Sequence, residues 1–208
     1  MIYLIGGPPK CGKTTLAKIL SRELSVPWIS ADTLQNIAWS YLPKDEHLTC
    51  FPHRYIKGDS NDDTYSKNSA EEIIEGYIQQ GKTSYKAINM IVETMIADED
   101  SYIVEGYQVS PEIVYQVIKK YGKENVRCLF LVKHNEEKFI ENIRKSTTQN
   151  DWIVRKTKEE STFDKIAHMI SLYSKHVEKE AKKYNFKIIS TDHDFKENMN
   201  ESVSYLKQ

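Results

Sequence analysis

Cysteine is scarce in this chain. Its 208 residues hold three, Cys11, Cys50 and Cys128, an odd and scattered set without metal-ligand spacing, so neither a disulfide framework nor a zinc site is expected. Such usage fits reduced thiols in the cytoplasm. An excess of charge of either sign is also missing: 29 Lys and Arg against 30 Asp and Glu leave a formal net charge of −1, which offers no global field to nucleic acid or an anionic membrane. Any attraction for phosphate must therefore be local. No long apolar run occurs at the N-terminus, where the first one stops at Gly6 and follows no basic segment. It is expected to be neither a signal peptide nor a membrane span. Nor is there an internal repeat or a low-complexity tract. The chain is long enough for one well-buried domain over residues 1–208 with an inserted helical lobe.

What is present starts almost at once, with "GPPKCGKT" at residues 7–14. Ile2 to Ile5 is a short β-branched apolar run, the mark of a buried strand, and Gly6-Gly7-Pro8-Pro9 can continue neither strand nor helix. From Lys13 onward Leu16, Ile19, Leu20 and Leu24 recur at helical spacing. Strand, loop and helix in this order, with Gly-x-x-x-x-Gly-Lys-Thr across the loop, form a phosphate cradle. Gly7 and Gly12 let successive amides turn into one cavity, at which the following helix aims its positive end. Gly7, Pro8, Pro9, Lys10, Cys11, Gly12, Lys13, Thr14 and Thr15 are thus expected to hold the phosphates of ATP. Lys13 would reach the β and γ phosphates and the Thr14 hydroxyl would ligate Mg²⁺. Cys11, between Lys10 and Lys13 at a helix N-terminus, is expected to have a lowered thiol pKa and to be shielded by Mg-ATP.

Downstream, apolar strands alternate with helices. Strands are expected at 2–5, 26–30, 101–105, 126–132 and 186–190, and helices at 13–24, 33–42, 69–80, 83–98, 111–122, 135–147, 159–184 and the C-terminus. This predicts an α/β fold, a five-stranded parallel sheet with helices on both faces, whose strands point their C-terminal ends at one rim. Residues 33–100 read as an acceptor-side helical insertion in which 44–68 is a flexible segment, and 134–160 as a lid.

Several residues stand where that rim would be. Asp32, in "ISADTL", reads either as the N-cap of a helix starting near Thr33 or as a carboxylate that accepts the proton of an attacking hydroxyl. In "YIVEGYQVSP", Glu105 would hold Mg²⁺ or contact the acceptor, and Gly106 would let substrate approach the backbone. Arg54 and Lys57 in "FPHRYIKG" are candidate anion contacts. Arg144 and Arg155 flank the polar interruption "STTQND" and read as lid residues that clamp phosphates on closure, against the plain alternative of a solvated helix face. His168 and His176 lie eight residues apart with no third ligand, and read as ordinary packing or surface histidines. "TDHD" at 191–194 is expected beside the nucleotide base. "DSNDDT" at 59–64 has the look of a calcium loop but carries Thr64 and Ala70 where glycine and glutamate are required.

Taken together, "GPPKCGKTTLA", Asp32, "VEGYQVSP" and the basic segment after the fourth strand resemble the P-loop small-molecule kinases, the clan of adenylate, shikimate and gluconate kinases. "TSYKAINMIVETMIADEDSYIVEGYQVSP" looks most like the 2-phosphoglycerate kinase group. The resemblance implies a P-loop NTPase fold and a kinase that uses ATP and Mg²⁺ to move the γ-phosphoryl group to a small-molecule acceptor, with no nucleic-acid or membrane partner and a homodimer left open. The arginine that adenylate kinases place after the corresponding Asp-Gly is missing from "VEGYQ", and no glycine-rich acceptor loop of the shikimate type is found, so the acceptor stays open. A nucleoside or nucleotide kinase, and a nucleotide-binding switch with weak ATPase activity, are the alternatives.

Overall fold

The computed structural model describes residues 1–146 and 151–208. In chain order it contains β1 (Ile2–Gly6), α1 (Lys13–Leu24), β2 (Trp28–Ser30), α2 (Ala31–Tyr41), α3 (His47–Cys50), α4 (Pro52–Ile56), α5 (Asn61–Lys67), α6 (Ala70–Thr83) and α7 (Tyr85–Ala97). There follow β3 (Tyr102–Glu105), α8 (Pro111–Tyr121), β4 (Val126–Val132), α9 (Glu136–Arg144), α10 (Trp152–Lys156), α11 (Glu160–Lys183), β5 (Lys187–Ser190) and α12 (Phe195–Leu206).

The five strands form one parallel sheet in the order β2-β3-β1-β4-β5. Its central strands are apolar on both faces, as a sheet covered on both sides requires: every residue of β1 is buried, as are all but one in β4. Helices α1 and α12 pack on each other and on the sheet, while α7, α8 and α11 form a second packed layer on it. β1 sits in the middle, paired on one side with β3 and on the other with β4. The loop that leaves β1 therefore opens where the chain's crossovers diverge, the place where such sheets bind ligands.

Two sequence expectations need correcting. Residues 44–68 are not a flexible segment: they fold into α3, α4 and α5. Pro52 starts α4, and the Ser60 hydroxyl caps α5 by accepting from the Asp63 amide at 3.0 Å. Fully buried Phe51 anchors this stretch between α3 and α4. The second helix begins earlier than expected, at Ala31, with the Ser30 side chain as its cap and Asp32 in its first turn. Of the polar interruption ahead of α10, residues 147–150 lie outside the described residues.

Candidate active site

The phosphate loop follows from local backbone demands. Gly7 has φ +129° and Gly12 φ +94°, both in the region that side chains disfavour. A Cβ on Gly7 would fall 2.1 Å from the Leu131 carbonyl oxygen, and one on Gly12 would fall 2.7 Å from the Phe195 ring. The loop is thus folded tightly over the ends of β1 and β4. α1 starts at Lys13 with no side-chain cap, so its first amides remain available to an anion. The Lys13 ammonium turns back over the loop and donates to the Pro8 carbonyl at 2.6 Å, almost fully buried. A buried cation beside the uncapped start of a helix fits the β and γ phosphates of a nucleotide.

Next to this loop, Thr14 donates its hydroxyl to Glu105 Oε1 at 3.0 Å. The sheet register makes the contact possible, because Ile5 on β1 pairs with Glu105 at the end of β3. Glu105 is 3% exposed. Burial raises its pKa, the Lys13 charge and the Thr14 bond oppose that, and the nearby negative charge of Asp32 adds to it. A hydroxyl and a carboxylate side by side are the oxygen donors that Mg²⁺ accepts, and Mg²⁺ ordinarily fills its remaining positions with water and substrate phosphate. Among the described residues no cluster of three or more His, Cys, Asp and Glu could hold a metal by itself, so this pair fits Mg²⁺ only together with a nucleotide.

Asp32 lies near enough to Glu105 for its charge to act on it. It is not the N-cap, since its own amide donates to the Ser30 hydroxyl at 3.2 Å; its carboxylate is left for other work. Oδ1 accepts from Gln108 Nε2 at 2.8 Å. Burial, Lys156 and Arg54 lower the Lys57 pKa while the nearby Asp32 carboxylate raises it. Arg54 donates to Asn36 Oδ1 and stacks over the Trp39 ring at 4.4 Å. At Gly106 an added Cβ would meet Gln108 Oε1 at 2.5 Å and the Ala31 Cβ at 2.7 Å, so packing against these side chains itself calls for glycine. Sequence reasoning missed Gln108 and its partners Gln35, Tyr107 and Gln80. The one available signal was a glutamine inside the rim stretch "VEGYQVSP".

Cys11 overturns its expectation outright. The thiol is 1% exposed and its pKa is pushed up to about 11 by burial, which outweighs the neighbouring charges of Lys13 and Lys133. At pH 8 only on the order of one molecule in a thousand would carry the thiolate. Native protein treated with iodoacetamide at pH 8 should therefore leave Cys11 unmodified, with or without Mg-ATP, until urea exposes it. Peptide mass spectrometry reads this directly, and rapid native labelling that Mg-ATP suppresses would restore the reactive-thiol expectation.

The segment expected as a lid touches the loop through a different residue from those anticipated. Lys10, itself at φ +64°, pairs with Asp151 at 2.8 Å, and Asp151 also accepts from the Ile153 amide and the Ser146 hydroxyl, capping α10. Arg144 instead pairs with Glu160 in an exposed contact, and Arg155 lies on the exposed side of α10. α10 in turn docks on α5, where Asn61 donates to the Trp152 carbonyl and to Thr157 Oγ1. In "TDHD", Asp192 accepts from the His134 and Asn135 amides and so ties the ends of β4 and β5 together.

The Asp151 contacts have a measurable consequence. Burial alone would raise its pKa; the Lys10 ammonium, the Ile153 amide and the Ser146 hydroxyl outweigh this and hold the carboxyl below its ordinary 3.8. A depressed folded pKa gives stability that is present above the unfolded value and lost as pH falls through the folded one. Asp151→Ala should destabilise the protein by about 1–3 kcal/mol at pH 7, the scale of a lost cap and a buried charged hydrogen bond. The gap to wild type should narrow below pH 4. Urea denaturation at the two pH values tests both statements, and equal stability at pH 7 would contradict the first.

A family model described as RNA helicase matches residues 2–126. Mevalonate-3-phosphate 5-kinase of Thermoplasma acidophilum is 26% identical over 122 residues, which cover 57% of this chain and 56% of that protein, so the matched stretch spans little more than half of each. Among solved structures, a gluconokinase from Sinorhizobium meliloti 1021 superposes with a TM-score of 0.56 at 11% identity, covering 99% of this chain and 90% of the other. A sugar kinase from Janibacter sp. HTCC2649 superposes at 0.55 and 13% identity, covering 99% and 94%. The fold is the one these two structures share, an α/β architecture around an all-parallel five-stranded sheet.

Proposed function

We propose that this chain, which belongs to the family described as RNA helicase through a model that spans residues 2–126, is an ATP-dependent phosphotransferase acting on a hydroxyl of a small metabolite. The observation that carries this reading is the position of Asp32. A carboxylate freed from capping is held by Gln108, near enough to both the Thr14–Glu105 pair and Lys57 for its charge to act on them.

In this reading the loop amides and Lys13 bind the β and γ phosphates and align the γ-phosphorus toward the acceptor side. The acceptor oxygen forms its bond to that phosphorus as the bond to the β–γ bridging oxygen breaks, ADP leaves, and the acceptor's proton passes to Asp32. Thr14 and Glu105 would hold Mg²⁺, which when bound neutralises charge on the phosphates. Residues 33–100 would form the acceptor side and 134–160 the lid, with Arg144 and Arg155 brought to the phosphates only by closure. The cations Arg54 and Lys57 favour an acceptor that carries an anionic group, in keeping with a relative named for a phosphorylated substrate. We place the enzyme in the cytoplasm, where its three free thiols would stay reduced.

The family model itself favours a second reading, in which the phosphoryl group passes to water and the energy moves RNA. The two readings separate by acceptor. Incubation with Mg-ATP and a panel of anionic hydroxylated metabolites should give a phosphorylated product, and single-stranded RNA should leave phosphate release unchanged. RNA-stimulated hydrolysis without any phosphorylated metabolite would favour the second reading.

A further inference from the structure

The buried polar group behind Asp32 is ordered by that carboxylate. An ionised carboxylate only accepts hydrogen bonds, so the Gln108 amide must present Nε2 to it, at 2.8 Å. The same nitrogen donates to Gln35 Oε1 at 2.9 Å. Gln35 Oε1 also accepts from the Tyr107 hydroxyl at 2.7 Å, and that hydroxyl accepts from Gln80 Nε2 at 2.7 Å. Two sets of donors thus converge on Gln35 Oε1, one from Gln80 of α6 through Tyr107 and one from Gln108, whose amide also donates to the exposed Asp32. Gln108 is fully buried, yet its own Oε1 has no hydrogen-bond partner among the described residues, and neither does Gln80 Oε1. A buried carbonyl without a donor is unfavourable. Gln108 keeps this orientation because both of its amide hydrogens are committed, one to Asp32 and one to Gln35.

We propose that Gln108 is the positioning residue for Asp32 in phosphoryl transfer, and that Gln35, Tyr107 and Gln80 hold it in place. Without it, an exposed aspartate in the first turn of a helix would exchange among rotamers; with it, one oxygen is pinned and the other faces the acceptor. Gln108 touches neither nucleotide nor acceptor in this role, so it acts on the rate and not on nucleotide affinity. The inference rests on Asp32 being the proton acceptor.

The test uses Mg-ATP alone, with water in the acceptor's place, and follows single-turnover phosphate release beside the Kd of ATP and a thermal melt. Asp32→Asn should slow release by a factor on the order of 10². Gln108→Met, unbranched and of similar length, should slow it about tenfold with the Kd of ATP unchanged, and the double variant should be no slower than Asp32→Asn, because the two residues act as one unit. Should Gln108→Met fail to fold, Gln35→Met, which removes the support behind Gln108, should show the same fall in rate at constant Kd. Normal release by folded Gln108→Met, or multiplicative effects in the double variant, would overturn the positioning role while leaving Asp32 in place. Normal release by Asp32→Asn would instead overturn the reading of Asp32 itself, and this inference with it.

Discussion

Lys13→Ala is expected to reduce phosphoryl transfer about 10³-fold and to leave a folded protein. The lysine is the one side-chain cation that the structure buries inside the loop, and its bond to the Pro8 carbonyl marks the place where a phosphate would take over. Alanine removes the charge but not the cradle, because the turns at Gly7 and Gly12 are set by backbone conformation and by contacts with β4 and Phe195. Stability should change by no more than about 1 kcal/mol, the net value of one hydrogen bond. Initial rates and a thermal melt on the same preparation check both parts. Turnover at the wild-type rate in folded Lys13→Ala protein would remove the loop from the chemistry.

Asp32→Asn has the second-largest expected effect, and here the structure separates two roles that the sequence leaves tied. Because Ser30 caps α2, the substitution should cost at most about 0.3–1 kcal/mol through the lost charge at the helix N-terminus. The asparagine carbonyl can still accept from Gln108, so the side chain stays in place without a charge to take up a proton. The kcat with an identified acceptor should fall by a factor on the order of 10² or more while ATP affinity holds. A large drop in melting temperature with unchanged kcat would mark Asp32 as structural, and Glu105 would become the next carboxylate to test.

How legible these features were in the sequence depends on how local their causes are. The loop and the strand before it could be read directly: Gly7 and Gly12 are demanded by the backbone, and an apolar β-branched run has few alternatives. The parallel sheet followed from five such runs separated by helices. The start of α2 was misplaced because "ISADT" holds two good caps two residues apart, and only the folded backbone shows that Ser30 takes the role. Helices α3, α4 and α5 were missed because helices of four to seven residues are too short to show a hydrophobic period. Cys11 misled for a tertiary reason. Its sequence neighbours are lysines, but the side chain is buried beside Ser174 and Lys133, which are distant in sequence. The same holds for Lys10 and Asp151 and for Gln108 and Gln35, pairs that no spacing rule brings together.

The central claim is that the phosphoryl group of ATP ends on a small molecule. The most direct measurement incubates the protein with γ-labelled ATP, Mg²⁺ and a fractionated metabolite extract, and follows the label between inorganic phosphate and organic phosphate, with Lys13→Ala as the paired control. The expected result is label in one organic phosphate, formed faster than free phosphate and absent with Lys13→Ala. Label that appears only as inorganic phosphate, at a rate no fraction of the extract alters, would contradict it.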